Sequence, residues 1–132
     1  MIFDPITHEV KAILDWELST LGNPIADFTY HMMSWRLPAG AKGLGMMGSD
    51  LKSLNIPSES EYAELYYKKT GREKIDNWDF YMAYNIFRLA GIAQGIVGRV
   101  RDGTASSSEA KNYEAFVPIL GKLGWSIVEG IK

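Results

Sequence analysis

Val10, Ala12 and Leu14 alternate with Lys11, Ile13 and Asp15. A period of two predicts a short strand. Met1-Ile2-Phe3 supplies a partner strand, with Asp4-Pro5-Ile6-Thr7-His8-Glu9 as the connecting turn. A two-stranded hairpin is marginal in water, so this one is expected to pack on something. Beyond it the pattern turns helical. Asn23 is a good N-cap and Pro24 suits the first helical position, so a helix is expected through Ala26, Asp27, Tyr30, His31 and Ser34, stopping before Pro38. A Gly- and Met-rich loop follows, from Ala39 to Gly48. Ser58 with Glu61 three residues on reads as a capping box, Tyr62, Leu65 and Tyr66 form an apolar face, and Gly71 is a natural stop.

The longest helix opens at Asp76 or Asn77 and ends near Gly103. Met82, Ile86, Leu89, Ala93, Ile96 and Val100 form one stripe, and Phe80, Tyr84, Phe87, Gly91, Gln94 and Gly98 form a second beside it. Two adjacent stripes predict a central helix buried on most of its circumference. Gly91, Gly95 and Gly98 make a smooth strip where another backbone is expected to come close. Ser106 with Glu109 reads as a second capping box. Tyr113, Phe116, Val117, Leu120, Leu123 and Ile127 give the last helix its inner face, and Pro118 predicts a kink or break within it. The expected architecture is one domain over residues 1–132, mainly α with a short N-terminal β-hairpin.

Composition narrows the function. With 132 residues, 46% apolar and 23% charged, the chain has the makings of one globular domain with a modest core. A formal net charge of −2 gives no electrostatic case for nucleic acid or an anionic membrane. There is no cysteine, which removes disulfides and thiolate metal sites. No apolar run reaches the roughly 18–20 residues a membrane span needs, and the N-terminus does not read as a secretory signal. The expected compartment is the cytoplasm.

Several motifs bear on chemistry. Gly43-Leu44-Gly45-Met46-Met47-Gly48 satisfies G-x-G-x-x-G, but a helix end and a turn precede it where a dinucleotide site needs a strand. A flexible surface loop accounts for it better. His8 and His31 lack paired metal-ligand spacing, and Ser106-Ser107-Ser108 has no accompanying His/Asp arrangement. Asp15 and Glu17 stand two apart at the end of the strand run, so both carboxylates can face one site. Such hard oxygen ligands suit magnesium held jointly with phosphates. The plainer reading is that Asp15 caps a turn. Arg88 and Arg99 interrupt the long apolar helix, where a buried guanidinium needs a partner. That partner is an internal carboxylate such as Asp27, or an anionic ligand.

The run Ala12-Ile13-Leu14-Asp15-Trp16-Glu17-Leu18-Ser19-Thr20-Leu21-Gly22-Asn23-Pro24-Ile25-Ala26-Asp27 resembles the aminoglycoside phosphotransferase/choline kinase-like family. More narrowly, it is similar to the kinase-like domain attached to long-form acyl-CoA dehydrogenases. The similarity continues through Asn77-Trp78-Asp79-Phe80-Tyr81-Met82-Ala83, Phe87-Arg88-Leu89-Ala90-Gly91-Ile92-Ala93-Gln94-Gly95 and Gly103-Thr104-Ala105-Ser106-Ser107. The resemblance implies transfer of the ATP γ-phosphoryl group to a small-molecule hydroxyl, here on a hydroxyacyl acceptor. By the same resemblance Asp15 is a magnesium ligand, Glu17 a supporting acid, and Asp27 a structural acid. The family's H-G-D-x-x-x-x-N catalytic loop does not occur in the 132 residues, and neither does its nucleotide-binding lobe.

The chain therefore resembles the C-terminal part of a protein-kinase-like (α+β) C-lobe. It is expected to be inactive alone and to bind neither ATP nor magnesium tightly. Its acceptor side is expected near Trp35, Tyr81 and Tyr84, with Arg88 or Arg99 for an anionic group. Self-association is expected through apolar surface and the hairpin's free edge. The alternative is a non-catalytic helical interaction module derived from the kinase-like fold.

Overall fold

A computed structural model describes residues 1–40 and 45–131. The hairpin forms where the alternation places it. Strand β1 (Ile2–Phe3) pairs antiparallel with β2 (Val10–Ala12), Ile2 opposite Ala12 and Phe3 opposite Val10, with an irregularity between the two pairs. Asp4 organises the turn: its Oδ1 accepts from the backbone N–H of Ile6 at 2.8 Å and of Thr7 at 2.9 Å. Its Oδ2 meets the Lys11 ammonium at 2.6 Å. Lys11 and these two amides hold the Asp4 carboxyl down at about 2. Ile2, Phe3, Ile6 and Val10 are nonetheless exposed, so the packing expected of the hairpin is not made by those side chains.

Helix α1 (Pro24–Met32) starts as expected: Asn23 Oδ1 accepts from the Ile25 N–H at 2.9 Å and Pro24 opens the first turn. A 3-10 turn, Met33–Trp35, carries the chain on towards Pro38. Helix α2 (Glu59–Thr70) has both arms of its capping box. Ser58 Oγ accepts from the Glu61 N–H at 3.3 Å, and Glu61 Oε2 accepts from the Ser58 N–H at 2.8 Å. It stops at Gly71, whose φ of +66° is the left-handed region that a side chain disfavours. Helix α3 (Trp78–Arg101) follows Asn77 and runs unbroken for 24 residues. Before α4 (Tyr113–Gly130) lies a 3-10 turn, Ser108–Asn112. Its cap is Ser107, whose Oγ accepts from the Glu109 N–H at 3.2 Å, so the expected Ser106 cap is displaced by one residue. Pro118 does not break α4. It sits on the exposed side, where water can serve the carbonyl that loses its donor.

The core gathers Met32, Met33, Leu37, Met82, Ile86, Leu89, Ala90, Ala93, Phe116 and Leu120, with α3 between α1 and α4. The stripe Met82–Ile86–Leu89–Ala93 is buried, as its spacing predicts. The second stripe is not: Phe80, Tyr84 and Phe87 are exposed, so α3 is covered on one side and open on the other. Nor does another backbone approach Gly91, Gly95 or Gly98 among the described residues; a Cβ there would meet no atom within 4 Å. The close approach lies on α4 instead. Gly124 is buried, and a Cβ there would touch Ile86 Cγ2 at 3.5 Å and the Ala83 carbonyl at 3.9 Å.

Between α1 and α3 a polar link is buried. Asn85 Nδ2 donates to the Ala26 carbonyl and to Thr29 Oγ1, both at 2.8 Å, and the Thr29 hydroxyl donates in turn to the Ile25 carbonyl at 2.7 Å. Part of the glycine-rich motif falls outside the described residues, namely Gly43 and Leu44. Its second half is not a free surface loop. Met46 donates to the Ser34 carbonyl at 2.8 Å and Met47 to the Leu37 carbonyl at 2.9 Å. A side chain at Gly45 would run into the carbonyls of Leu37 and Pro38, which explains the glycine without any cofactor.

Candidate functional site

The strand ends at Ala12, earlier than the alternation predicts. Asp15 adopts φ 58° and ψ 20° and opens a 3-10 turn, Trp16–Leu18, closed by the Ser19 N–H on the Trp16 carbonyl at 3.0 Å. This overturns the strand geometry that would aim Asp15 and Glu17 the same way. At three residues per turn, positions two apart point about 120° away from one another. The plainer reading holds in position only: Asp15 stands at the cap of that turn, but its side chain makes no capping bond. Both carboxylates are exposed, and neither enters an ion pair among the described residues. A left-handed conformation costs a non-glycine residue roughly 1–2 kcal/mol, though Asp tolerates it better than most. Asp15 thus carries local strain while its carboxylate makes no hydrogen bond or ion pair among the described residues.

The loop after this turn is pinned to α3. Asn23, besides capping α1, donates from Nδ2 to the Tyr81 hydroxyl at 2.8 Å. Asp27 lies exposed in the first turn of α1, its N–H on the Asn23 carbonyl at 3.3 Å, and pairs with no cation among the described residues.

The expected buried arginines are corrected by the fold. Arg88 and Arg99 both lie on the open side of α3. Arg88 stacks over the Tyr30 ring at 5.0 Å, a cation–π contact in place of an ion pair with Asp27. The Arg99 carbonyl accepts from the N–H of Thr104 at 2.9 Å and of Ala105 at 3.1 Å, which closes the end of α3.

The three aromatics expected at the acceptor side occupy separate surroundings. The Trp35 indole N–H donates to the Pro57 carbonyl at 2.9 Å, and its ring packs with His31 and Tyr62. Tyr81 holds Asn23. Tyr84 faces a trough between α3 and α4.

A cluster that no local pattern announces joins three elements. The Arg36 Nε and Nη2 donate to Glu59 at 3.0 and 2.7 Å, its Nη1 to Asp79 Oδ1 at 2.6 Å, and the Trp78 indole to Glu59 Oε1 at 2.7 Å. These pairs more than offset the desolvation of Arg36, so its pKa is raised. Beside the cluster opens a cavity of about 480 Å³ that also meets Ala63, Tyr67 and Lys74. Burial raises the Tyr67 hydroxyl above its ordinary value. Arg36 and Glu59 are 23 residues apart, and Glu59 reads in sequence as an ordinary first-turn acid.

The stretch around Asp15 has counterparts in known sequences. Residues 1–65, which contain Asp15, Glu17 and Asp27, match the model of the phosphotransferase enzyme family. The class to which the chain is similar is thus the phosphotransferase class that the Asp15 run resembles. Over nearly its whole length it is also similar to acyl-CoA dehydrogenase family member 10 of Mus musculus, 42% identical over 126 residues, which is 95% of this chain and 12% of that protein. Acyl-CoA dehydrogenase family member 11 of Homo sapiens is 34% identical over 125 residues, 94% of this chain and 16% of that protein. A probable acyl-CoA dehydrogenase of Arabidopsis thaliana is 33% identical over 116 residues, 83% of this chain and 14% of that protein. The chain therefore spans 12–16% of the length of the curated relatives it matches. No solved structure matches it. No helix among the described residues is long and apolar enough to cross a membrane.

Proposed function

We propose that the chain is part of an ATP- and magnesium-dependent phosphotransferase acting on a small-molecule hydroxyl, with Asp15 as the carboxylate that holds the metal. One observation carries the reading: Asp15 is set in a left-handed turn, its carboxylate exposed and unpaired among the described residues, in the stretch similar to the phosphotransferase family. Residues in sparsely populated backbone regions cluster at functional sites. Hard oxygen donors fit magnesium, which typically takes one or two protein carboxylates and completes its shell with water and substrate phosphates. The described residues fit that demand and no stronger one, since they hold no cluster of three or more acidic or histidine ligands. When bound, the ion would neutralise phosphate charge. Glu17 would act on it less directly, from further round the turn. Asn23 and Tyr81 would fix the loop that follows.

The general base and second metal ligand of an H-G-D-x-x-x-x-N loop are not among these 132 residues, so the chain alone is expected to turn over no ATP. The relatives' names favour an acyl acceptor, and the proposal takes a hydroxyacyl compound as the substrate. Arg88 and Arg99, both open to solvent, are the cations offered to its anionic group. The test is titration of the 132-residue chain with magnesium and ATP, followed by backbone NMR. Shifts should centre on residues 15–19 with millimolar affinity and vanish in Asp15→Asn. If the response survives Asp15→Asn unchanged, the metal role is wrong and the non-catalytic helical module becomes the better account.

A further inference from the structure

A trough between α3 and α4 is apolar, open and has no role so far. It measures about 730 Å³ and is lined by Phe80, Ala83, Tyr84, Phe87, Gly121 and Trp125, with Val128 and Ile131 at one end. No charged side chain lines it. Phe80 is 58% exposed, Phe87 76% and Trp125 62%. Four aromatic side chains of ~150–250 Å² each, exposed to this degree, present roughly 500 Å², and Val128 and Ile131 add roughly 150 Å². A standard interface of about 800 Å² per partner needs only a little over half of that to be apolar. The trough alone meets the requirement. On its α4 wall Gly121 is exposed and a Cβ there would meet nothing within 4 Å, so a second backbone can come close.

The rim indicates the partner. Lys122, Trp125 and Glu129 follow one another at i, i+3 and i+7, so they share one edge of α4. Lys122 and Glu129 are exposed and enter no ion pair among the described residues; Glu129 accepts only the Trp125 indole N–H, at 3.0 Å. Trp125 lies midway between the opposite charges, which are about 10 Å apart along the helix. A two-fold axis through Trp125 would lay α4 antiparallel on its copy and bring each Lys122 to the other's Glu129. That is the self-complementarity an isologous contact requires.

We infer that the α3–α4 trough is the interface between two copies of this chain, related by a two-fold axis at Trp125. The experiment is sedimentation equilibrium of the 132-residue chain through the micromolar range. A monomer–dimer equilibrium is expected, and it should be abolished by Phe87→Glu. Phe87 lies outside the core, and circular dichroism should confirm the fold. The charge pair supplies the sharper arm. Lys122→Glu alone and Glu129→Lys alone should each weaken the dimer about tenfold, because symmetry breaks two pairs at once. The double reversal should restore the affinity to within about threefold. A chain that stays monomeric at the top of the range overturns the proposal. So does a dimer that ignores Phe87→Glu and is lost with Phe3→Glu, which would move the contact to the hairpin. A double reversal no better than the singles also overturns it.

Discussion

Glu59→Ala should be among the most damaging changes on this surface. The Glu59 carboxylate takes Nε and Nη2 of Arg36 and the indole N–H of Trp78. The side chains of Arg36 and Glu59 are 25% and 26% exposed, so water can only partly replace what is removed. Exposed ion pairs contribute about 0–1 kcal/mol, while breaking a fully buried one costs about 3–5 kcal/mol. A pair a quarter exposed belongs between these limits, at about 2–3 kcal/mol, because Arg36 keeps Asp79 but Trp78 loses its acceptor. The assay is urea unfolding followed by circular dichroism, reading the midpoint at constant m. For a chain of this size the melting temperature should fall by about 8–10 °C. Asp79→Ala is the control: Asp79 is half exposed and makes one bond to Arg36, so it should lose under about 1 kcal/mol. The reasoning fails if Glu59→Ala and Asp79→Ala cost the same. It fails equally if the Arg36→Leu and Glu59→Ala effects simply add in a double-mutant cycle.

Asp4 should titrate with a midpoint of about 2 in the folded chain. Its folded pKa lies below the unfolded value, so its contribution to the hairpin is present above about pH 4 and is lost as pH falls through about 2. Lys11→Ala should raise that midpoint, and carboxyl NMR shifts would show it; no movement would mean Lys11 is not the main cause. Gly71→Ala should destabilise the chain by about 1 kcal/mol, because φ is +66° at the end of α2. A neutral or stabilising result in the same urea assay would show that α2 does not depend on this left-handed stop.

What could be read from the sequence was what neighbouring residues decide among themselves. Asn23 with Pro24, Ser58 with Glu61, and Gly71 each act within one turn, and each helix end stands where those residues place it. The hairpin is similar in kind, because Asp4 and its amides close the turn locally. Burial is different. The stripe Phe80–Tyr84–Phe87 is as apolar as Met82–Ile86–Leu89, and only the positions of α1 and α4 decide which of the two is covered. Arg88 shows the same effect with the opposite sign: apolar neighbours in sequence suggested burial, while its side of α3 faces outward. At Asp15 the period-two pattern extended the strand too far, since alternation says nothing of where a residue takes positive φ. The Arg36–Glu59–Asp79 cluster draws on three separate segments, and no window of sequence contains it.

These legible and illegible parts meet in the first turn of α3. Trp78 bonds Glu59 of α2, Asp79 bonds Arg36 beyond α1, and Tyr81 bonds Asn23 at the start of α1. Within four residues one helix end grips α2 on one side and the loop that follows Asp15 on the other. The candidate stretch gains an anchor from this, because the side chains of Asp15, Trp16 and Glu17 are themselves exposed. Orientation of a metal-holding carboxylate to within a fraction of an ångström depends on supporting contacts of this kind. The hydrogen bond from Asn23 to Tyr81 therefore ties the loop after the candidate site to α3. The Tyr81 hydroxyl, expected on the acceptor side, receives that bond.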